Sequence, residues 1–132
     1  MRKWTQLLSS WLPVVLVMLV IFVFSAQPSS NLPHFDWLDR VVKKGGHVLG
    51  YALLALAYWR GLQYRTDKRW IAWLFAVLYA VSDEVHQSFV PGRSASIWDI
   101  VVFDNLGAFL ALWLGSRSGI LTPSDSDWSL KP

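Results

Sequence analysis

The sequence contains no cysteine and carries little charge for its length. Its 132 residues include no Cys, which excludes disulfide bonds, thiolate zinc ligands and thiol catalysis. Charged residues make up 16% and hydrophobic residues 54%, whereas a soluble domain averages about 25% charged residues. A small domain has a large surface for its volume and needs a charged shell to cover it. The composition therefore argues against a soluble or disordered protein and favours one integral membrane domain.

Positive charge is present, but it is scattered through short loops. The net charge of +3 comes from 12 Lys and Arg against 9 Asp and Glu. This excess is typical of a protein beside anionic lipid, and we expect membrane lipids and no nucleic acid among its partners. Nine Trp and four Tyr agree with this expectation, because amphipathic rings favour the headgroup level of a bilayer.

Four apolar stretches predict helices that cross the membrane, at about residues 8–26, 46–62, 70–89 and 97–114. Backbone amides in lipid must pair internally, which favours helices over open strands. The predicted fold is all-α, an antiparallel bundle of four transmembrane helices over residues 1–120, followed by a flexible cytoplasmic tail at 121–132. Cleavage of a signal peptide after Ser25-Ala26 is the alternative for the first stretch, but its apolar run is long for that role.

The distribution of basic residues predicts the orientation of the bundle. One side has eight basic residues and the other side has four, and the richer side is expected to be cytoplasmic. Both termini are therefore predicted in the cytoplasm, with the loops around residues 31–44 and 90–96 facing outward. The cytoplasmic group comprises Arg2, Lys3, Arg60, Arg65, Lys68, Arg69, Arg117 and Lys131, and the outer group comprises Arg40, Lys43, Lys44 and Arg93.

Polar residues gather at the outer ends of all four predicted helices. Lys44, His47 and Tyr51 share one helical face by their spacing. Ionisable groups inside a bilayer are costly and usually mark a functional site that faces the bundle interior. Each residue also has a plainer role, such as helix packing, a helix-end carboxylate or a lysine that reaches to headgroups. The candidate site comprises Ser25, Lys44, His47, Tyr51, Asp83, Glu84, His86, Gln87, Arg93, Asp99, Asp104 and Asn105.

Two segments resemble the VanZ-like family of small bacterial membrane proteins. Residues 82–107 contain Glu84, Gln87, Pro91, Arg93, Asp99, Asp104 and Gly107 in an order similar to the family pattern. Residues 39–51 are similar through Asp39, Lys44, His47 and Tyr51, and residues 25–28 resemble the polar end of the family's first span.

The chain departs from the family pattern in the last motif. Asp99 and Asp104 are five residues apart, where the resemblance implies a spacing of four, so either Asp104 or Asn105 takes the family position. The resemblance also implies a multi-pass protein of the bacterial cytoplasmic membrane and a link to glycopeptide (teicoplanin) resistance. It implies no known reaction.

The polar cluster supports two classes of function. In the first, an outward-facing pocket binds or processes a lipid-linked or amphiphilic anion, such as a lipoglycopeptide. Arg93, Lys44 and protonated His47 would then form a cationic fork. An enzymatic version makes His47 or His86 the acid/base, Glu84 or Asp83 its orienting carboxylate and Arg93 the ligand of the substrate oxygens, so His47, Glu84 and Arg93 are the candidate catalytic residues.

In the second class the protein is a structural membrane subunit, and its polar cluster is an internally satisfied network. The Pro91-Gly92 turn predicts that Arg93 folds back onto Glu84.

A proton or ion pathway is disfavoured, because the inner halves of the spans lack matching polar residues. No HExxH-type spacing or glycine-rich phosphate loop occurs, so we expect no metal and no cofactor. The sequence leaves open whether the protein is an enzyme and whether it forms a homo-oligomer.

Overall fold

The computed structural model describes residues 2–28, 36–93 and 95–118, without the side chains of Arg2, Lys3, residues 36–40 and Val42. Within these ranges the chain forms helices and no strand, which confirms the all-α prediction. The helices are α1 (Arg2–Ser25), α2 (Asp36–Gly61), α3 (Arg69–Gln87) and α4 (Asn105–Arg117). A 3-10 turn (Thr66–Lys68) precedes α3, and a π-helical segment (Asp99–Asp104) runs directly into α4. The predicted tail at 121–132 lies outside the described residues.

Two of the predicted spans are long and apolar enough to cross a membrane. They are Trp4–Ser25, with 22 residues, and Asp99–Arg117, with 19 residues. Helix α1 accommodates Pro13 in its interior. Helices α2 and α3 occupy the other two predicted spans, but the charged residues near one end of each lower their mean hydropathy. Length and apolarity alone therefore support two spans.

Helix α2 begins at Asp36, well before the predicted boundary at residue 46. The prediction that residues 31–44 form a loop is therefore wrong from residue 36 onward. No proline or glycine occurs between Pro33 and Gly45, so nothing in this stretch interrupts helical hydrogen bonding. Hydropathy indicated where the chain becomes apolar, which differs from where the helix begins.

Helix α2 packs against all three of the other helices. Its buried face includes Leu54, Ala55 and Trp59. Helix α3 contributes a buried stripe of small side chains at Ala72, Ala76 and Ala80, which are spaced by four residues and therefore share one face. Small residues let helix backbones approach closely, and this is the usual packing of helices in membranes.

The bundle is polar inside at one end and apolar outside. Large apolar side chains are exposed along α1, including Leu8, Leu16, Val20 and Phe24. The buried side chains, in contrast, include carboxylates, an amide and a hydroxyl: Ser25, Asp83, Glu84, Gln87 and Asp104. An apolar exterior of this extent is a liability in water and is favourable in lipid. The distribution is that of a membrane protein.

Helices α2 and α4 approach closely where Gly107 of α4 meets the backbone of Val48 in α2. A Cβ atom at Gly107 would overlap the carbonyl group of Val48 and come within 3.0 Å of its Cα. Both neighbours are backbone atoms, so no side-chain rotation relieves the overlap. Only glycine allows α4 to lie this close to α2.

Gly107→Ala is expected to lower the free energy of unfolding in detergent by about 1–3 kcal/mol, because overpacking forces the two backbones apart. The matched control is Gly45→Ala, since a Cβ there meets nothing within 4 Å and alanine is the better helix former. Thermal unfolding of both purified variants in one detergent measures the difference. Equal stability of Gly107→Ala and the parent chain would contradict the close approach.

Candidate functional site

Polar residues from α1, α2, α3 and the π-helical segment meet at one end of the bundle. This end, here called the polar end, consists of the C-terminal ends of α1 and α3, the N-terminal half of α2 and the π-helical segment. Contacts between the segments define it: Tyr51 of α2 bonds to Asp83 of α3, and His47 of α2 bonds to Asp104. The loop after α3 reaches α1 through Arg93. The sequence prediction that these polar groups share one end agrees with these contacts.

Two pairs of charged or ionisable side chains join α2 to the π-helical segment. Lys44 Nζ lies 3.9 Å from Asp99 Oδ1, and it also lies over the ring of Phe103 at 4.3 Å. His47 Nδ1 lies 2.9 Å from Asp104 Oδ1. Because Lys44 and His47 are three residues apart, they lie one above the other on α2.

The π-helical segment brings both aspartates to the same side of the chain. In an α-helix a spacing of five residues is about 1.4 turns, which would place Asp99 and Asp104 on different faces. A π-helix bonds residue i to i+5, so residues five apart lie almost one turn apart. The spacing of five that departs from the family pattern is thus accommodated by the local helix type. The spacing of five residues is visible in the sequence. Read with the α-helical period, however, it predicts that Asp99 and Asp104 lie on different faces.

Asp104, and not Asn105, faces α2. The Asp104 side chain is only 2% exposed and bonds to His47. Asn105 Oδ1 instead accepts a hydrogen bond from Trp73 Nε1 of α3 at 2.7 Å. The structure therefore places Asp104 in the polar end and Asn105 outside it, in the contact between α3 and α4.

A continuous row of side chains runs from Asp104 to Gln87 across three segments. Asp83 Oδ2 accepts hydrogen bonds from the Tyr51 hydroxyl at 3.3 Å and from Gln87 Nε2 at 3.0 Å. The rings of His47 and Tyr51 stack with their centroids 6.1 Å apart. The order along the row is therefore Asp104, His47, Tyr51, Asp83 and Gln87, and we call this set the polar row.

Glu84 and Arg93 have separate partners, so the predicted pair between them is wrong. The backbone N–H of Ser96 donates a hydrogen bond to Glu84 Oε1, which ties the end of α3 to the start of the next helical segment. Arg93 Nε donates to the carbonyl of Gln27 at 3.1 Å, and Arg93 Nη2 donates to that of Phe24 at 2.7 Å. The last carbonyls of a helix lack partners within it and carry partial negative charge, which is why the guanidinium binds there. Arg93 caps α1.

Ser25 and His86 lie at the polar end without joining the polar row. Ser25 is buried at the end of α1, and the His86 ring packs on Phe22 with a centroid distance of 4.7 Å. Within the described part of the chain, four buried side-chain atoms have no hydrogen-bond partner: Ser25 Oγ, Asp83 Oδ1, His86 Nε2 and Asp104 Oδ2. All four belong to the polar end. A network that served only to hold the helices together would satisfy these atoms.

A groove of about 470 Å³ lies elsewhere, along the contact between α3 and α4. Of the predicted site residues only Asn105 lines it, with Trp73, Val101, Val102, Leu106 and Phe109. The groove is therefore distinct from the predicted outward pocket. Among the described residues no group of three or more His, Asp or Glu is arranged to hold a metal ion.

The hydrogen bonds predict which pairs are energetically coupled. A double-mutant cycle of His47→Gln and Asp104→Asn is expected to give a coupling free energy of about 1–3 kcal/mol, because the two side chains bond directly. The matched cycle of Glu84→Gln and Arg93→Gln is expected to be additive within about 0.5 kcal/mol. Thermal unfolding in detergent measures both cycles. Strong coupling in the second cycle would show that Arg93 pairs with Glu84 after all.

Comparison with known proteins identifies the family of the chain. No curated protein and no solved structure gives a significant match to the chain. A family model described as VanZ/LLP1 matches residues 10–119, which include most of α1, all of α2, α3 and α4, and every candidate site residue. Because this match extends over most of the 132 residues, the chain belongs to the VanZ/LLP1 family.

Proposed function

We propose that this chain is a four-span protein of the bacterial cytoplasmic membrane whose polar end binds the headgroup of an amphiphilic or lipid-linked envelope compound. The observation that carries the proposal is the set of four buried atoms without partners at one end of the bundle. Unpaired polar groups are costly in a low-dielectric interior, and within a membrane such groups usually mark a ligand or ion site. A ligand that hydrogen-bonds to them recovers that cost.

The surroundings of the polar end favour an amphiphile over a small solute. Apolar side chains at the same end are exposed next to the buried polar groups, including Phe24, Val85 and Phe89. A lipid-linked compound can place its headgroup among the polar atoms while its chains remain with the surrounding lipid. Membership in the VanZ/LLP1 family makes a lipoglycopeptide such as teicoplanin a reasonable compound with which to test the proposal.

The His47–Asp104 pair supports a catalytic version of the same proposal. A carboxylate that bonds to one ring nitrogen fixes the orientation and tautomer of the imidazole, as in many general bases. His47 would then be the acid/base, and Asp104 its orienting partner in place of Glu84 or Asp83. Arg93 supports the site from outside by capping α1, so it would have no direct contact with substrate.

The structural alternative also draws on specific contacts. Lys44 pairs with Asp99, Arg93 caps α1, and Glu84 binds the backbone of Ser96. These contacts join segments and need no ligand. The unpartnered atoms of the polar row distinguish the two roles, because a purely structural network has no use for them.

The four-span topology predicts which engineered cysteines are accessible from outside the cell. The natural chain has no cysteine, so each variant carries a single thiol, at exposed Ala95 or exposed Thr66. Ala95→Cys is expected to react with an impermeant maleimide on intact cells. Thr66→Cys is expected to react only after the membrane is opened, because its loop is rich in basic residues and predicted to be cytoplasmic. The reverse pattern would contradict the orientation.

The binding proposal predicts that function is lost separately from folding. In cells made tolerant to teicoplanin by this chain, His47→Gln and Asp83→Asn are expected to abolish tolerance while membrane abundance remains near that of the parent. Arg93→Ala is expected to lower abundance, because the carbonyls at the end of α1 lose their donor. Trp113→Ala is the control, since this exposed residue contacts Arg117 near the other end of α4.

Tolerance per molecule and abundance are measured on the same membranes. A structural network predicts reduced abundance in His47→Gln and Asp83→Asn, with normal tolerance per remaining molecule. If both variants behave like Trp113→Ala, the polar end is not the functional site. If the parent chain confers no tolerance, the lipoglycopeptide is the wrong compound, and binding of other amphiphiles is tested directly as described below.

A further inference from the structure

The unpartnered atoms of the polar end share one chemical property, which is that all of them can accept a hydrogen bond. Asp83 Oδ1 and Asp104 Oδ2 are carboxylate oxygens, which accept and never donate when ionised. Ser25 Oγ accepts as well, and His86 Nε2 accepts in the tautomer that carries the ring proton on Nδ1. From this we infer that the compound bound at the polar end presents a cationic hydrogen-bond donor, an ammonium group, to Asp83 and Asp104. The inference rests on the proposed function and names its ligand class.

Lys44 and Arg93 are directed to groups other than the unpartnered atoms, whereas His47 bonds to Oδ1 of Asp104 and leaves Oδ2 unpartnered. Lys44 lies beside Asp99, and the guanidinium of Arg93 donates to the carbonyl of Phe24 in α1 and to that of Gln27 just after it. Within the described ranges, neither Asp83 nor Glu84 has a Lys, Arg or His within ion-pair distance. The sequence predicted an anionic headgroup. Such a headgroup would be repelled by these carboxylates, and the side chains of Lys44 and Arg93 that were expected to bind it are engaged elsewhere.

The two aspartates are placed to act together. Each is more than nine-tenths buried, with Asp83 4% and Asp104 2% exposed. Each has one oxygen engaged, Asp83 by Tyr51 and Asp104 by His47, and the other oxygen unpartnered. The two carboxylates are joined through the stacked rings of His47 and Tyr51. An ammonium group has three donors and no acceptor, which matches a set of groups that can only accept.

A metal ion is a weaker candidate for the same position. No group of three or more His, Asp or Glu within the described ranges has a metal-binding arrangement. A divalent metal usually takes four or more ligands from the protein, water or substrate. Two carboxylate oxygens on different helices suit a hydrogen-bonding cation better than a coordinating ion.

Amphiphiles with the same alkyl chain test whether the sign of the headgroup charge and its N–H donors determine binding. Purified full-length protein in neutral maltoside detergent is titrated with dodecylammonium, dodecyltrimethylammonium or dodecyl phosphate, and the dissociation constants are measured by isothermal calorimetry. Dodecylammonium is expected to bind saturably. Dodecyltrimethylammonium keeps the positive charge but has no N–H donor, and its affinity is expected to be at least about tenfold lower. Dodecyl phosphate, which is an anion, is expected to bind at least as weakly.

Variants locate the binding. Asp83→Asn and Asp104→Asn are each expected to weaken dodecylammonium binding about tenfold or more. The control is Asp67→Asn, because Asp67 is an exposed carboxylate paired with Arg65 between α2 and α3, and its affinity is expected to equal that of the parent. Ser25→Ala removes one acceptor and no charge, so it provides a milder variant if the aspartate variants do not fold.

The outcomes separate this inference from the proposed function. Tighter binding of dodecyl phosphate than of dodecylammonium by the parent chain would overturn the ammonium ligand and leave an amphiphile site intact. Absence of saturable binding by all three amphiphiles would overturn both. Equal loss of dodecylammonium binding in Asp67→Asn and Asp83→Asn would show non-specific attraction to acidic residues, which also overturns the inference. The comparison of amphiphiles uses the parent chain, so it holds even if a variant fails to fold.

Discussion

The arrangement of the polar end depends on how closely α4 approaches α2. Gly107 lies against the backbone of Val48, and any larger residue would overlap it. Asp104, the last residue of the π-helical segment, is three residues before Gly107, and His47 directly precedes Val48. The close approach therefore brings Asp104 Oδ1 to 2.9 Å from His47 Nδ1. If the two helices were one side chain further apart, this hydrogen bond and the Lys44–Asp99 contact would both be lost.

The second constraint is the low dielectric of the surroundings. Most of the large side chains exposed on α1 and α4 are apolar, so polar groups within the helices are favourable only where they bond to one another. Lys44, Arg93 and Glu84 satisfy this requirement across segments, and each of their contacts fixes one helix end relative to another. The polar end is thus assembled by contacts that need no water, which leaves the unpartnered oxygens of Asp83 and Asp104 as the groups that differ from the rest.

The sequence predicted the helical class, the approximate helix positions and the shared face of Lys44, His47 and Tyr51, because these follow from hydropathy and the α-helical period. It did not predict the partner of Arg93. A turn at Pro91-Gly92 is compatible with a return to α3 or a reach to α1, and only packing places the carbonyls of Phe24 and Gln27 within reach. The π-helical segment was missed for a related reason. A single extra residue between Asp99 and Asp104 looks like a displaced motif until the helix type is known.

The capping role of Arg93 changes the chemistry that the same residues imply. With Arg93 free, the polar end would combine three cationic groups and favour an anion. With Arg93 bound at the end of α1, Lys44 beside Asp99 and His47 bonded to Asp104, the groups that remain include the unpartnered oxygens of Asp83 and Asp104. The identity of each residue is unchanged, but its partner decides whether its charge is available to a ligand. Arg93 therefore contributes by holding the end of α1 against the loop after α3, and its charge is engaged by backbone carbonyls instead of by a ligand.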